Sequence, residues 1–332
     1  MFERKCVARP TGAVSFRQVA ALLGAFCLAP AALAQQDFSS AEIHVWPVRG
    51  NVYMLVGPVG NSTVQVGEQG VIVVDTQFAE LSDKILAAIE SVASTPIRYV
   101  INTHAHPDHT GGNAQIAQAG STVAGGNVSG TIADADIGAA IVAHENVLVA
   151  MTQQNPQPPF EAWPTDTFFV EQKDLYFNGE AVQLLHQPPA HTNGDVLVHF
   201  RGSDVISAGD VFVTTTYPYI DIAAGGHIDG IVEALNRIIK IAVPADKQEG
   251  GTLIVPGHGR LADEADVVEY RDMLTIIRDR VQAMVADGMS LRQVQAAQPT
   301  RDYDGRYGAD SGFWTTEQFV EAIYTNLGGG RR

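Results

Sequence analysis

The run Thr103-His104-Ala105-His106-Pro107-Asp108-His109-Thr110-Gly111-Gly112 constrains this chain more than any other segment. It follows directly on Ile97–Ile101, a β-branched apolar stretch that reads as a buried strand. Strand-end loops are where open α/β architectures place their chemistry. Four side chains that can bind a transition metal fall within six positions: His104, His106, Asp108 and His109. Imidazole nitrogen and carboxylate oxygen suit a borderline-soft cation such as zinc. Gly111-Gly112 is expected to let backbone approach such a cation closely.

Three later residues extend the set. His191 lies in Pro188-Pro189-Ala190-His191-Thr192-Asn193-Gly194-Asp195, on a loop entering a strand. Asp210 ends Ser207-Ala208-Gly209-Asp210, and His258 ends Ile254-Val255-Pro256-Gly257-His258, each just past an apolar strand. A lone His or Asp is usually an ordinary hydrogen-bonded residue. Here each one flanks a strand and is bracketed by Gly or Pro.

The N-terminus carries Arg4, Lys5, Arg9 and Arg17, then an apolar stretch from Val19 to Leu33 that ends in Ala32-Leu33-Ala34. A basic region, a short apolar region and a small-x-small ending predict an export signal over residues 1–34. The expected destination is the periplasm or the exterior, and the stretch is short for a membrane span, which needs about 20 residues. Both cysteines, Cys6 and Cys27, lie inside this segment. Cleavage would remove disulfides and thiolate ligands from consideration. It would also leave 17 basic and 36 acidic residues in 35–332, a net charge of −19. So acidic a chain argues against nucleic acid and anionic membrane as partners and leaves a small-molecule substrate.

The rest of the chain reads as one domain over 35–332. Strands are predicted at Ile43–Val48, Asn51–Val56, Ser62–Val66 and Val71–Val74, then a helix over Ser82–Ser91 and another starting at Asn113–Ala119. Residues 120–138 are rich in Gly, Ser and Ala and read as an inserted surface loop. Helical spacing is read over Ile141–Gln153. A second strand series covers Glu171–Phe177, Ala181–His186, Val196–Phe200 and Val205–Ala208. A helix over Ile228–Ile241, a strand over Thr252–Val255 and a helical C-terminus follow. Two strand-rich stretches, each followed by helices, predict two sheets packed face to face with helices outside.

The order His-x-His-x-Asp-His, then His191, Asp210 and Gly257-His258, resembles the metallo-β-lactamase superfamily over nearly the whole of 35–332. The resemblance implies an α/β fold, the αββα sandwich of two mixed sheets, with a dinuclear site at its edge. It implies that His104, His106 and His191 hold a first metal, that Asp108, His109 and His258 hold a second, and that Asp210 bridges them. Two zinc ions per chain are expected; the same ligands accept iron or manganese. Three neutral imidazoles leave a cation Lewis-acidic enough to bring the pKa of water toward about 7. Asp108 is then positioned to orient the nucleophile as a catalytic residue.

Tyr217, Tyr219 and His227, on the loop leaving Asp210, are candidate substrate contacts. Asp195 is the candidate carboxylate for the remote nitrogen of a metal-bound histidine. His44, His144, His186 and His199 read as structural. Export favours β-lactam ring opening as the leading activity. The alternatives are thioester or lactone hydrolysis, more remotely an iron-dependent sulfur dioxygenase, and a non-catalytic metal-binding role. Two features weigh against a β-lactamase: Asp210 stands where the best-known lactamases carry Cys or Ser, and Val213 stands where those with Cys carry Lys. Arg260 is the remaining candidate to grip a substrate carboxylate.

Overall fold

A computed structural model describes residues 37–122, 138–187 and 189–330. The expected signal segment and the centre of the 120–138 loop lie outside the described residues. Among the described residues thirteen strands form two sheets. In the first, seven strands run in chain order: β1 (His44–Arg49), β2 (Val52–Val56), β3 (Asn61–Gly67), β4 (Gly70–Val74), β5 (Ile97–Ile101), β6 (Ala140–His144) and β7 (Asp166–Phe168). Strands β1 to β4 pair antiparallel as a meander, and β4 to β7 pair parallel. The second sheet has the order β13-β12-β11-β10-β9-β8: β8 (Gln172–Phe177), β9 (Glu180–His186), β10 (Val196–Phe200), β11 (Val205–Gly209), β12 (Leu253–Pro256) and β13 (Ala262–Asp263). Only β11 and β12 pair parallel in it.

The two-residue side-chain period divides each strand between two cores. In β4, Ile72 and Val74 point between the sheets, where they meet Val182, Leu184, Val196 and Val198. Val71 and Val73 point outward to a layer with Leu81, Ile85, Ile89 and Ile116. These four come from the turn before α1 (Ser82–Glu90), from α1 itself and from α3 (Asn113–Gln118). The outer face of the second sheet is covered by α5 (Ile228–Ile241) and α6 (Glu264–Ala286), and α9 (Thr316–Asn326) packs on α6. The layering is therefore αββα, as expected. Residues such as Ile231, Leu235 and Ile238 of α5 are fully buried, each contributing about 1.5–3 kcal/mol of transfer free energy.

The predicted helix over 141–153 is corrected. Residues 140–144 form β6, and the helix is α4 (Glu145–Gln153), capped by the His144 ring, whose Nδ1 accepts from Asn146 N at 3.2 Å. Ile141 and Val142 fill opposite cores, so this stretch is apolar on both faces. A short continuous apolar run has no period that separates a buried strand from a buried helix. The stub β7 and two short helices, α7 (Leu291–Ala296) and α8 (Asp304–Tyr307), complete the chain. Among the described residues no helix is long and apolar enough to cross a membrane.

Candidate metal centre

The ends of β5, β11 and β12 meet at one edge of the sandwich, and each delivers ligands there. Beyond β5 the chain turns through His104 and His106 into α2 (Pro107–Thr110). Pro107 forces the preceding His106 into an extended conformation (φ −67°, ψ 148°) and itself takes the first helical position. His106 is thereby the N-cap, and the single turn behind it projects Asp108 and His109. Gly111 and Gly112 are needed for packing. A Cβ on Gly111 would lie 2.9 Å from Gln77 O, and one on Gly112 would lie 2.5 Å from Thr76 O. Both glycines thus allow close approach to the 75–77 loop. Gly257 serves the site directly, since a Cβ there would sit 2.0 Å from Asp210 Oδ1.

The seven predicted ligand side chains converge. Three overlapping groups have ligand atoms within 4.8 Å of one another: His104/His106/His191, His104/His109/Asp210 and Asp108/His109/His258. His191 Nε2 lies 2.9 Å from His106 Nδ1. Asp210 reaches both ends, with Oδ1 3.3 Å from His109 Nε2 and Oδ2 3.2 Å from His258 Nε2 and 3.8 Å from His191 Nε2. Asp108 Oδ2 stands 3.4 Å from His258 Nε2 and 3.6 Å from His109 Nε2. His104 Nε2, His109 Nε2 and Asp210 Oδ1 are buried without a hydrogen-bond partner. Three orphaned polar atoms in one cluster would be costly in an ordinary interior. They fit cations, for which each would supply a lone pair.

The electrostatics follow from burial and charge. Burial, with His109 and His191 close by, lowers His104 well below the usual imidazole range, and burial lowers His191 to about 4. Both are therefore neutral ligands at physiological pH. Burial opposes protonation of His109 too, but the carboxylates of Asp210, Asp108 and Asp75 raise it well above the usual value. His258 is raised by Asp210 against the same penalty. Although burial favours its acid form, the Asp210 carboxyl is held well below the ordinary range by His258 and His109.

The remote nitrogens are oriented by partners that the sequence did not announce. Asp75 accepts from His109 Nδ1 at 2.8 Å, from Thr103 N at 2.8 Å and from Thr103 Oγ1 at 2.7 Å. Asp221 Oδ2 lies 2.9 Å from His106 Nε2, and the bond holds the Asp221 carboxyl low. His191 Nδ1 donates to Tyr219 O at 2.7 Å. For Asp75 a signal existed, since an acid immediately follows the apolar strand Gly70–Val74. For Asp221 and the Tyr219 carbonyl there was none.

Asp195 and Tyr217 are reassigned, and His227 takes a capping bond. Asp195 does not meet a histidine ring; it accepts from Thr192 N at 2.9 Å and Thr192 Oγ1 at 2.7 Å, locking the turn that carries His191. Burial pushes its carboxyl up to about 7 against those bonds. Tyr217 is buried, stacks on Phe319 and donates to Asp304 Oδ1 at 2.9 Å, so it is core and does not face a substrate. His227 caps α5, with Nδ1 accepting from Asp229 N at 3.1 Å. Tyr219 does border the centre, its ring 5.7 Å from that of His106 and 5.6 Å from that of His191. Arg260 is paired with Asp266 through two bonds of 2.9 and 2.5 Å.

The chain is similar to several known proteins. It is 28% identical over 174 residues to the 2,4-dinitroanisole O-demethylase subunit alpha of Nocardioides sp. (strain JS1661), covering 52% of this chain and 47% of that one. It is 24% identical over 264 residues to the linear primary-alkylsulfatase of Pseudomonas sp. (strain ATCC 19151), covering 67% and 46%. The chain thus spans about half the length of these two relatives. Among solved structures, the stereoselective inverting sec-alkylsulfatase from Pseudomonas sp. superposes with a TM-score of 0.61 at 14% identity, over 87% of this chain and 50% of that one. A metallo-beta-lactamase from Pontibacter korlensis gives 0.54 at 15% identity, over 70% and 99%. These likenesses show the fold. The family model of the metallo-beta-lactamase superfamily matches residues 55–263, from β2 to β13, and so takes in all seven candidate ligands. This chain belongs to the metallo-beta-lactamase superfamily.

Proposed function

We infer that this chain is an exported dinuclear metal-dependent hydrolase, with zinc as the metal and an ester, thioester or cyclic amide as the substrate. The carrying observation is the pair of ligand groups joined through Asp210, with His104 Nε2, His109 Nε2 and Asp210 Oδ1 buried and unpartnered between them. His104, His106 and His191 would hold one ion and Asp108, His109 and His258 the other. Asp210 would touch both and supply the negative charge that keeps two dications close. A bound pair would lower the pKa of water toward neutrality and polarise the scissile carbonyl.

The protein's own groups do the positioning. Asp75, Asp221 and the Tyr219 carbonyl fix three imidazole rings, and such outer bonds fix tautomer as well as orientation. Asp108, with its side chain 24% exposed, sits at the solvent side, where it can take a proton from an attacking water.

Within this reading a neutral ester suits the site better than a β-lactam, whose carboxylate calls for a cation. Arg260, the candidate grip, is already held by Asp266. The test is metal analysis of purified protein together with turnover of phenyl acetate, an aryl thioester and a chromogenic cephalosporin. Two metals per chain and chelator-sensitive cleavage of the first two are expected. Metal-independent turnover would overturn the assignment, and cleavage of the cephalosporin alone would overturn the preference for a neutral ester.

A further inference from the structure

The metal centre is bordered on the His106–His191 side by an aromatic group that the preceding mechanism does not use. The Tyr219 ring packs against the rings of both histidines, and two further aromatics close on it from outside. Phe313 meets it at 5.1 Å in an edge-on arrangement, and Trp314 meets it at 4.8 Å, also edge-on. Trp314 is pinned in place by donating its indole N–H to Pro218 O at 3.0 Å. The same loop is fastened again by Tyr217 N, which donates to Tyr307 O at 3.2 Å. Phe313 is 80% exposed. A Phe ring so open to water is uncovered apolar surface beside the site, and covering it with another ring is favourable through both area and edge or offset-face geometry.

Charge narrows what could cover it. The chain carries a net charge of −16, which disfavours anions in general. Arg260, which lines a groove beside His258, is paired with Asp266. This groove of about 710 Å³ is lined by Trp46, Met54, Val59 and Leu261 together with Asn61 and Arg260. The centre is thus bordered by this groove at His258 and by the aromatic wall at His106 and His191. Phe313 and Trp314 also lie beyond residue 263, outside the part of the chain that matches the family model. Two of the wall's three rings therefore come from the C-terminal segment, and Tyr219 comes from within the matched part.

We propose that Tyr219, Phe313 and Trp314 form a receptor for a neutral aryl group of the substrate, and that Phe313 is a specificity-determining residue. The proposal rests on the hydrolase reading for what happens to the scissile bond, but the binding of an arene does not depend on turnover. The test therefore has two arms on metal-loaded protein. In the first, naphthalene-1-acetamide, a neutral aryl amide, is titrated while tryptophan emission is followed, with acetamide as the control. The wild type should saturate below millimolar concentration and acetamide should give no response. Phe313→Ala should weaken Kd by about tenfold, equivalent to about 1.4 kcal/mol. Phe313→Trp should restore it, and metal content should be equal in all three. In the second arm, the ratio of kcat/KM for phenyl acetate to that for ethyl acetate should fall by about tenfold in Phe313→Ala. No saturable binding by the wild type, or a weakening of less than about threefold in Phe313→Ala, overturns the wall. Arene binding that behaves as stated while no ester is cleaved would leave the wall standing and remove the hydrolase reading. Metal-dependent cleavage with an unchanged aryl preference would do the reverse.

Discussion

His104, His106 and His191 are three imidazoles, and each has its other nitrogen committed: to Thr103 Oγ1 at 3.1 Å, to Asp221 and to the Tyr219 carbonyl. Asp108, His109 and His258 are a mixed set in which two members are partly exposed, Asp108 at 24% and His258 at 27%, where the first set has His106 alone at 21%. Burial keeps His104 and His191 neutral, whereas the carboxylates around His109 and His258 draw protons onto them. One half of the centre is thus preorganised to accept a cation with little proton displacement. In the other half, metal and protons compete for the same lone pairs. The difference predicts unequal affinity, with the His104/His106/His191 position the tighter.

Removing a ligand from the tight half should have the largest effect. His191→Ala should abolish metal retention at that position and lower kcat by about a thousandfold or more, since the loss of a ligand undoes both Lewis acidity and orientation. His258→Ala should retain one metal per chain. Metal analysis after gel filtration would separate the two variants, and equal occupancy in both would break the comparison. Asp108→Asn comes next. With metals verified as bound, kcat should fall by about a hundredfold while KM shifts far less, as for loss of one general base or orienting group. A covalent acyl-enzyme detected by mass spectrometry would point instead to a side-chain nucleophile.

Asp221→Asn tests preorganisation itself. It leaves every ligand in place and should weaken the first metal by about 10- to 100-fold, with the second nearly unaffected. Competition with a chromophoric chelator would report both constants.

The smallest effect concerns pH in metal-depleted protein. Unfolded histidines titrate near 6.5, but folded His191 does so at about 4 and His104 well below its usual value. From pH 6.5 down to about 4 the unfolded state therefore binds more protons, and the stability these residues contribute at neutral pH is lost on acidification. His109 and His258 act oppositely: their raised values give stability that is present below 6.5 and lost as pH rises through those values. Urea unfolding of His191→Ala should show an acid limb flatter by about 1–3 kcal/mol. An unchanged limb would show that burial of His191 does not control it.

How much of this was legible in the sequence varies with the range of the interaction. The His104–His109 run, the strand before it and the strand-end positions of Asp210 and His258 are local features, and period and spacing exposed them. Asp221 and the Tyr219 carbonyl orient ligands 115 and 28 positions away in sequence, through contacts that no local pattern encodes. Asp195 drew a ligand-orienting role because it lies near His191, yet its oxygens are used within its own turn. Tyr217 and Tyr219 are two residues apart on the same loop, and the fold sends one ring into the core with Phe319 and the other to the metal centre. In strand β6 the ambiguity was physical, because a segment buried on both faces shows no amphipathic period.

The central claim, two unequal metal positions joined by Asp210, is tested most directly by graded removal of metal from the loaded protein. Increasing chelator should release the first equivalent at low concentration and the second only at a concentration at least about tenfold higher, with two metals per chain at the start. His258→Ala should show only the late step. A single equivalent at saturation, or two equivalents leaving together in one step, would contradict the account.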